Sequence, residues 1–458
     1  MPAAPAENGK STDNDLKREL GLFPLTNIVI ANMIGAGALT LSGILLAKVH
    51  SPLLMMILWL IGGLTALCGA LCYGQLGAAM PQAGGEYVFL SRLFHPLAGF
   101  LSGWISFFVG FSAPIAASAL ACVEYLERAY PSLLTLGMRQ PPASPVIMKK
   151  IFAAGLIMLF TFVHRHRIRF GARVQNGITI AKIAGIALFV VLGFAFGKGD
   201  FAHLFHEANA DVASLPWQAI GLSFLWIMFA YSGWNASAYI GSEIRQPKKN
   251  LPLSLLLGTG AVTILYLALN LLFVYAVPPT EVSDTISIGG LAAAKLFGRS
   301  LEQIVSVFIA LALFSSLSAY IMLGPRVYFS MAKDGLFFRF AAKVHPRHGV
   351  PSQSILCQGA VAILMVTFGT YDQLLTYLGF ALGIFPILAV LGLFQLKKIG
   401  LPAPRIACYP LPPLFFIAIS VLMLVLSFLE RPVESMVAIL TLAAGIPIYF
   451  LIFKGKLK

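Results

Sequence analysis

Twelve stretches of roughly 20 predominantly apolar residues, each long enough to cross a bilayer as a helix, begin near Leu22, Pro52, Leu97, Val146, Arg173, Trp217, Leu251, Ser300, Ser352, Gln373, Pro410 and Pro432. Hydrocarbon offers no partner to a free backbone N–H or C=O, so a run of this length has to satisfy its own backbone. Of the 458 residues, 58% are hydrophobic and 11% charged, whereas a soluble domain carries about 25% charged residues. The chain therefore reads as an all-α polytopic membrane protein with twelve transmembrane helices.

The formal net charge of +14 reflects topology rather than a nucleic-acid partner, because the basic residues form short clusters between the apolar runs. With the N-terminus inside, 21 of the 32 Lys and Arg residues fall on the inner side and nine on the outer. The inner set runs from Lys10, Lys17 and Arg18 through Arg165, Arg167, Arg169 and Arg173 to Lys454, Lys456 and Lys458. Lys182 and Arg326 lie within or at the end of spans. Cytoplasmic loops carry the basic excess, so both termini are expected in the cytoplasm and the number of spans even. The segment through Asp15 has no basic start, brief apolar core and small-residue cleavage site of a signal peptide. Residues 1–18 and 454–458 read as cytoplasmic tails. The five cysteines lack zinc-site spacing; Cys68 and Cys72 share a helix face but read as buried small side chains, and no metal or cofactor is expected.

The first run is interrupted in its middle. Ile30-Ala31-Asn32-Met33-Ile34-Gly35-Ala36-Gly37-Ala38-Leu39 holds two glycines one residue apart, each about 1 kcal/mol worse than alanine in a helix. Unwound backbone at membrane depth survives only inside a bundle or along a water-filled cavity. The half-helix beyond it would aim free N–H groups and a positive dipole end at a small anion such as a carboxylate. Close helix packing accounts equally for the glycines, and the stretch alone does not separate the two. The sixth run repeats the theme, with Phe229-Ala230-Tyr231-Ser232-Gly233-Trp234-Asn235-Ala236-Ser237 breaking it before Glu243 and Pro247. Interrupted spans at matching places in two halves point to a transporter's substrate site. Five spans per half force the halves to be inverted, which gives a five-plus-five inverted repeat over 19–198 and 214–398, with two extra C-terminal helices over 406–453.

Lys182 lies nine residues into the fifth run, roughly 13 Å along a helix. That strains a lysine's reach to the surface, and a charge at such depth normally faces a cavity, a partner or a functional site. Ser315, Ser316 and Ser318 in the eighth run read, on their own, as helix-packing residues.

Several of these blocks together resemble the amino acid–polyamine–organocation transporters. Asn32 to Gly37 is similar to that family's first-span signature and Pro81-Gln82-Ala83-Gly84-Gly85-Glu86-Tyr87-Val88-Phe89-Leu90 to its first cytoplasmic loop. Phe229 to Asn235 resembles the sixth-span break of its L-type amino acid branch, and Arg326 to Gly335 the inner end of its eighth span. The resemblance implies a LeuT-like fold with substrate at mid-membrane. Amides at Ala36 and Gly37 would then hold a substrate carboxylate, and carbonyls at Met33 or Ile34 and at Phe229, Ala230 and Ser232 its ammonium. Phe229 would be an aromatic gate, Asn235 would shape side-chain specificity, and Lys182 would stand in place of a sodium ion, bridging spans one, five and eight. The chain reads Gly-Ala-Gly-Ala-Leu where the family often has Gly-Ser-Gly-Ile-Phe, so backbone contacts are expected to carry the recognition at Ala36.

The expected function is secondary active transport of neutral L-amino acids by alternating access, sodium-independent, as exchanger or proton-coupled symporter. No acidic residue lies at either break, and a cationic amino acid or polyamine would want a carboxylate or aromatic cage; Glu243 or Glu124 would have to supply it. An enzyme or channel would want titratable clusters or rings at membrane depth, and none is evident. A non-transporting sensor on the same fold stays open. Expected partners are the amino acid and membrane lipid. In the animal L-type transporters that the chain resembles, a cysteine in the external loop after the third run bonds an accessory glycoprotein; this chain has none there, so no disulfide-linked accessory subunit is expected, and a monomer is left open. A prokaryotic inner membrane is the expected location.

Overall fold

A computed structural model describes residues 18, 20–82, 84–135, 144–166, 171–205, 216–282, 285–343, 351–402 and 404–453. Apart from Arg18, the two tails lie outside the described residues, as do Arg139, Arg167, Arg169 and Arg347 of the charge tally.

Apolar helices occupy every expected place. The first span is two helices, Leu22–Met33 and Ala36–Val49. The second is Pro52–Ala79, and the third runs from Pro96–Ile105 through a π-helical turn, Ser106–Phe111, to Ser112–Ala129. Spans four and five are Pro145–His166 and Gly171–Phe196, and the α-helical part of the sixth is Trp217–Ala230. Spans seven to ten are Pro247–Ala276, Arg299–Lys333, Ser352–Phe368 and Tyr371–Gly392; the last two are Leu411–Glu430 and Pro432–Ile448. A short helix, Ile288–Phe297, precedes the eighth span.

Local chemistry explains the boundaries. Ser51 caps the second span by accepting from the Leu54 amide, with Pro52 at the first helical position. Thr370 and Gln373 form a reciprocal capping box on the tenth. The wide turn in the third span stands just before Pro114, which has no N–H to give the preceding turn. There the Ser112 hydroxyl donates to the Phe107 carbonyl at 2.8 Å.

Burial sorts the spans. In the most apolar window of the first span 78% of residues are buried, against 22% in the fourth and in the last. The broken helix is therefore the centre of the bundle, while the fourth span turns Ile151, Met158, Leu159 and Phe162 outward to lipid. Side-chain pairs show how the ends alternate. Arg128 at the end of span three meets Glu302 at the start of span eight at 2.8 Å, and Arg431 between the last two spans meets Asp372 at 3.4 Å. On the opposite face, which carries Leu20, the Tyr87 hydroxyl donates to Asp334 at 3.0 Å. We call this the N-terminal face.

Candidate functional site

The first span unwinds over only Ile34 and Gly35. Gly35 is extended, and the half-helix that starts at Ala36 has no side-chain cap and no acidic residue in its first turn. Its leading amides thus lie, with no side-chain cap, at the positive end of a helix dipole. In the sixth span the α-helix ends at Ala230, and turns and short 3-10 segments, Ala236–Tyr239 and Gly241–Glu243, follow until Pro247. That stretch is held by local bonds such as Ser232 N–H to the Phe229 carbonyl at 2.8 Å.

The two interruptions touch through backbone. A Cβ on Gly37 would stand 2.6 Å from the Ala230 Cα and 2.7 Å from its Cβ. Gly233, with φ +95°, lies so close to Asn32 that a Cβ would meet its carbonyl carbon at 2.8 Å. The glycines serve both roles that the sequence left open: Gly35 lies in the break, and Gly37 allows the close approach.

One side chain links the breaks. The Tyr266 hydroxyl, from the seventh span, lies 2.5 Å from the Met33 carbonyl and 3.2 Å from the Ala230 carbonyl. Its ring is wedged edge-on against Trp59 at 5.6 Å between centroids and beside Tyr231 at 5.2 Å. Asn270, one turn further on, donates to the Tyr266 carbonyl at 2.8 Å and bonds Ser42 of the second half-helix. Thr40 of that half-helix pairs with the Tyr371 hydroxyl at 2.6 Å, and the Leu39 carbonyl accepts from Tyr125. Sequence reasoning missed Tyr266; its only signal was a Tyr–Asn pair four apart inside an apolar run.

Lys182 is 2% exposed. Its ammonium donates to the Ile34 carbonyl at 2.5 Å and to the Ser316 hydroxyl at 3.2 Å, so it ties the fifth span to the first and the eighth. Ser316 Oγ also lies 3.2 Å from the Ile34 carbonyl. The structure thus gathers Met33, Ile34, Gly37 and Ala230 with Tyr266, Lys182 and Ser316. Phe229 is buried in the last turn of the Trp217–Ala230 helix, and Ser232 is half-buried in the turn beyond it.

Asn235 is engaged elsewhere. Its amide donates to Glu86 Oε1 at 2.9 Å and lies 3.4 Å from the Tyr239 hydroxyl. Tyr73 donates to the same Glu86 oxygen at 2.8 Å. A carboxyl group therefore does reach the sixth-span interruption, from the loop rather than from either span. Burial pushes the Glu86 carboxyl up to about 7, against the lowering effect of the Tyr73 and Asn235 hydrogen bonds.

Replacing Tyr266 by Phe keeps the ring packing and removes the shared donor. Leaving a buried carbonyl unpaired costs about 1–3 kcal/mol. We expect Tyr266→Phe to lower the melting temperature of the purified protein by a few degrees, and an unchanged melting temperature would show that the hydroxyl does not tie the two breaks together.

A bundle of membrane helices whose two interrupted members meet at its buried centre defines a carrier-type membrane protein. A family profile described as "Amino acid permease" matches residues 20–453, and the chain belongs to that family. It is 30% identical over 445 residues to the Asc-type amino acid transporter 1 of Mus musculus, covering 95% of this chain and 81% of that protein. It is also 30% identical over 443 residues to the mouse Large neutral amino acids transporter small subunit 2, covering 95% and 81%. The mouse b(0,+)-type amino acid transporter 1 is 27% identical over 458 residues, with 97% and 91% covered.

Proposed function

We propose that this protein is a secondary active transporter of neutral L-amino acids that works by alternating access without sodium, as an exchanger or proton-coupled symporter. The observation that carries the proposal is the pair of facing interruptions, with uncapped amides at Ala36 and Gly37 on one side and the end of the Trp217–Ala230 helix on the other. N-terminal helix ends suit a carboxylate and C-terminal ends an ammonium. An α-amino acid carries both. On this proposal Met33, Ile34, Ala36, Gly37, Phe229, Ala230 and Ser232 surround the amino and carboxyl groups, with Phe229 as the gate. Asn235 bears on specificity from the segment it anchors.

The Lys182 ammonium between Ile34 and Ser316 supports sodium independence, since a fixed cation there needs no second one. Neutral rather than cationic substrates are supported by the name of one relative at 30% identity, the large neutral amino acids transporter. Of the two carboxylates that a cationic substrate would call on, Glu124 is paired with Lys149 at 2.8 Å, and Glu243 lies beside Leu20, whose amide donates to its carbonyl at 3.0 Å. We further propose a five-plus-five inverted repeat over 19–198 and 214–398, both termini in the cytoplasm of a prokaryotic inner membrane, and no disulfide-linked subunit. The basic excess on the N-terminal side supports this orientation.

The test is uptake of labelled alanine or leucine into proteoliposomes under a proton gradient, a sodium gradient, or with unlabelled amino acid inside. Sodium-independent uptake that needs internal amino acid identifies an exchanger, and uptake driven by protons a symporter. Absence of flux of any neutral amino acid would overturn the proposal.

A further inference from the structure

The Gly84-Gly85-Glu86 turn is built to carry a carboxyl into the bundle. Gly84 and Gly85 have φ +123° and +52°, and a Cβ on Gly85 would come within 2.7 Å of the Tyr239 ring. Only glycine brings the loop so close to the sixth-span segment in that conformation. The Gly84 amide donates to the Tyr239 carbonyl at 3.0 Å, and a Cβ on Gly241 would stand 2.8 Å from the Gln82 carbonyl oxygen. At the centre of this seam Glu86 is 7% exposed, with Tyr73 and Asn235 donating to one of its oxygens.

No cation faces this carboxyl among the described residues. From the second span it meets Tyr73, with Cys72 buried next to it, and from the sixth-span segment Asn235 and Tyr239. On its own helix, Tyr87 pairs with Asp334 and Arg92 is exposed. The tenth span packs at the other end of that helix, where Gly392 meets Leu93 and Phe94; Lys397 and Lys398 beyond it are exposed. A glutamine would make the same two hydrogen bonds without the desolvation cost of a buried carboxylate. A carboxyl differs from that glutamine in one respect: it has a proton to gain or lose as the burial of the seam changes.

We infer that Glu86 is a positioning residue of the transport cycle, which acts through Asn235 to hold the unwound sixth-span segment against the first loop and loses its proton as the N-terminal face opens. This rests on the transport proposed above. The sign follows from linkage. In the closed seam the carboxyl titrates at about 7, against an ordinary value of 4.5. Below the lower value both forms are protonated and the closed seam has its full advantage. That advantage is lost as pH rises through the higher value. Acid on the N-terminal face holds the seam shut.

The experiment is amino acid exchange in proteoliposomes of known protein orientation, with the pH on the N-terminal face varied from about 5 to 8, for wild type, Glu86→Gln and Tyr73→Phe. Infrared titration of the carboxylic C=O band is run on the same samples. Wild-type exchange should climb about tenfold over this range. Glu86→Gln should stay at the acid-side rate with a flat profile and lack a C=O band that titrates near neutrality. Tyr73→Phe, which removes a donor to the carboxylate, should move the midpoint upward. A wild-type profile in Glu86→Gln, or an unmoved C=O titration in it, overturns the inference. Should wild type show no flux at all, the transport proposal fails, and the infrared titration still decides whether Glu86 holds the proton.

Discussion

Lys182→Met should cut amino acid exchange by one to two orders of magnitude while leaving the folded protein at least as stable as wild type. The buried ammonium has no carboxylate partner among the described residues and is held by a carbonyl and a hydroxyl. A hydrogen bond to a charged group is worth about 1.5–3 kcal/mol, roughly ten- to a hundredfold in rate if it is made only in a working conformation. Methionine fills most of the same volume, and replacing a buried charge by an apolar group is often neutral or stabilising. Transport and melting temperature are therefore expected to move independently. Arginine should not rescue, because a planar fork does not fit a site shaped for a compact point charge. Wild-type exchange in Lys182→Met would show that the ammonium is packing rather than machinery.

The second large effect is expected at Gly37. A valine there puts carbon atoms where the Ala230 backbone already lies, and backbone cannot swing aside as a long side chain can. Overpacking of this kind costs typically about 1–3 kcal/mol and at times more, and here the strain falls on the two breaks. Gly37→Val should abolish measurable exchange and lower the melting temperature by several degrees. Gly155→Ala is the control, since nothing lies within 4 Å of its added methyl. In a helix interior that change should stabilise by about 0.5–1 kcal/mol and leave transport unchanged. Equal behaviour of the two variants would refute the backbone contact.

The helices were legible because each carries its own evidence: a long apolar run bounded by proline, glycine or a cap is read without knowing its neighbours. The interruptions at Gly35 and Gly233 were legible for the same reason, as local faults in those runs. Lys182 was found because a charge at mid-span is conspicuous wherever it points. Tyr266 was not, because tyrosine is ordinary in an apolar helix and its hydroxyl matters only through carbonyls 233 and 36 positions away in sequence. Glu86 was visible as part of a loop motif, but a sequence does not say that two positive-φ glycines fold the loop inward until the carboxyl meets Asn235. The assignment of Asn235 to the substrate rested on its place in a motif. The hydrogen bonds place its amide in the seam with the loop.

Tyr266 has one hydroxyl proton and two carbonyls within reach of it. An O–H points along a single direction, so at any instant one carbonyl has the stronger bond and the other is nearly vacant. If the first and sixth spans draw apart, the tyrosine need not lose its bond; it keeps whichever partner stays. A two-way switch of this kind lets the centre of the bundle rearrange with the number of its hydrogen bonds unchanged.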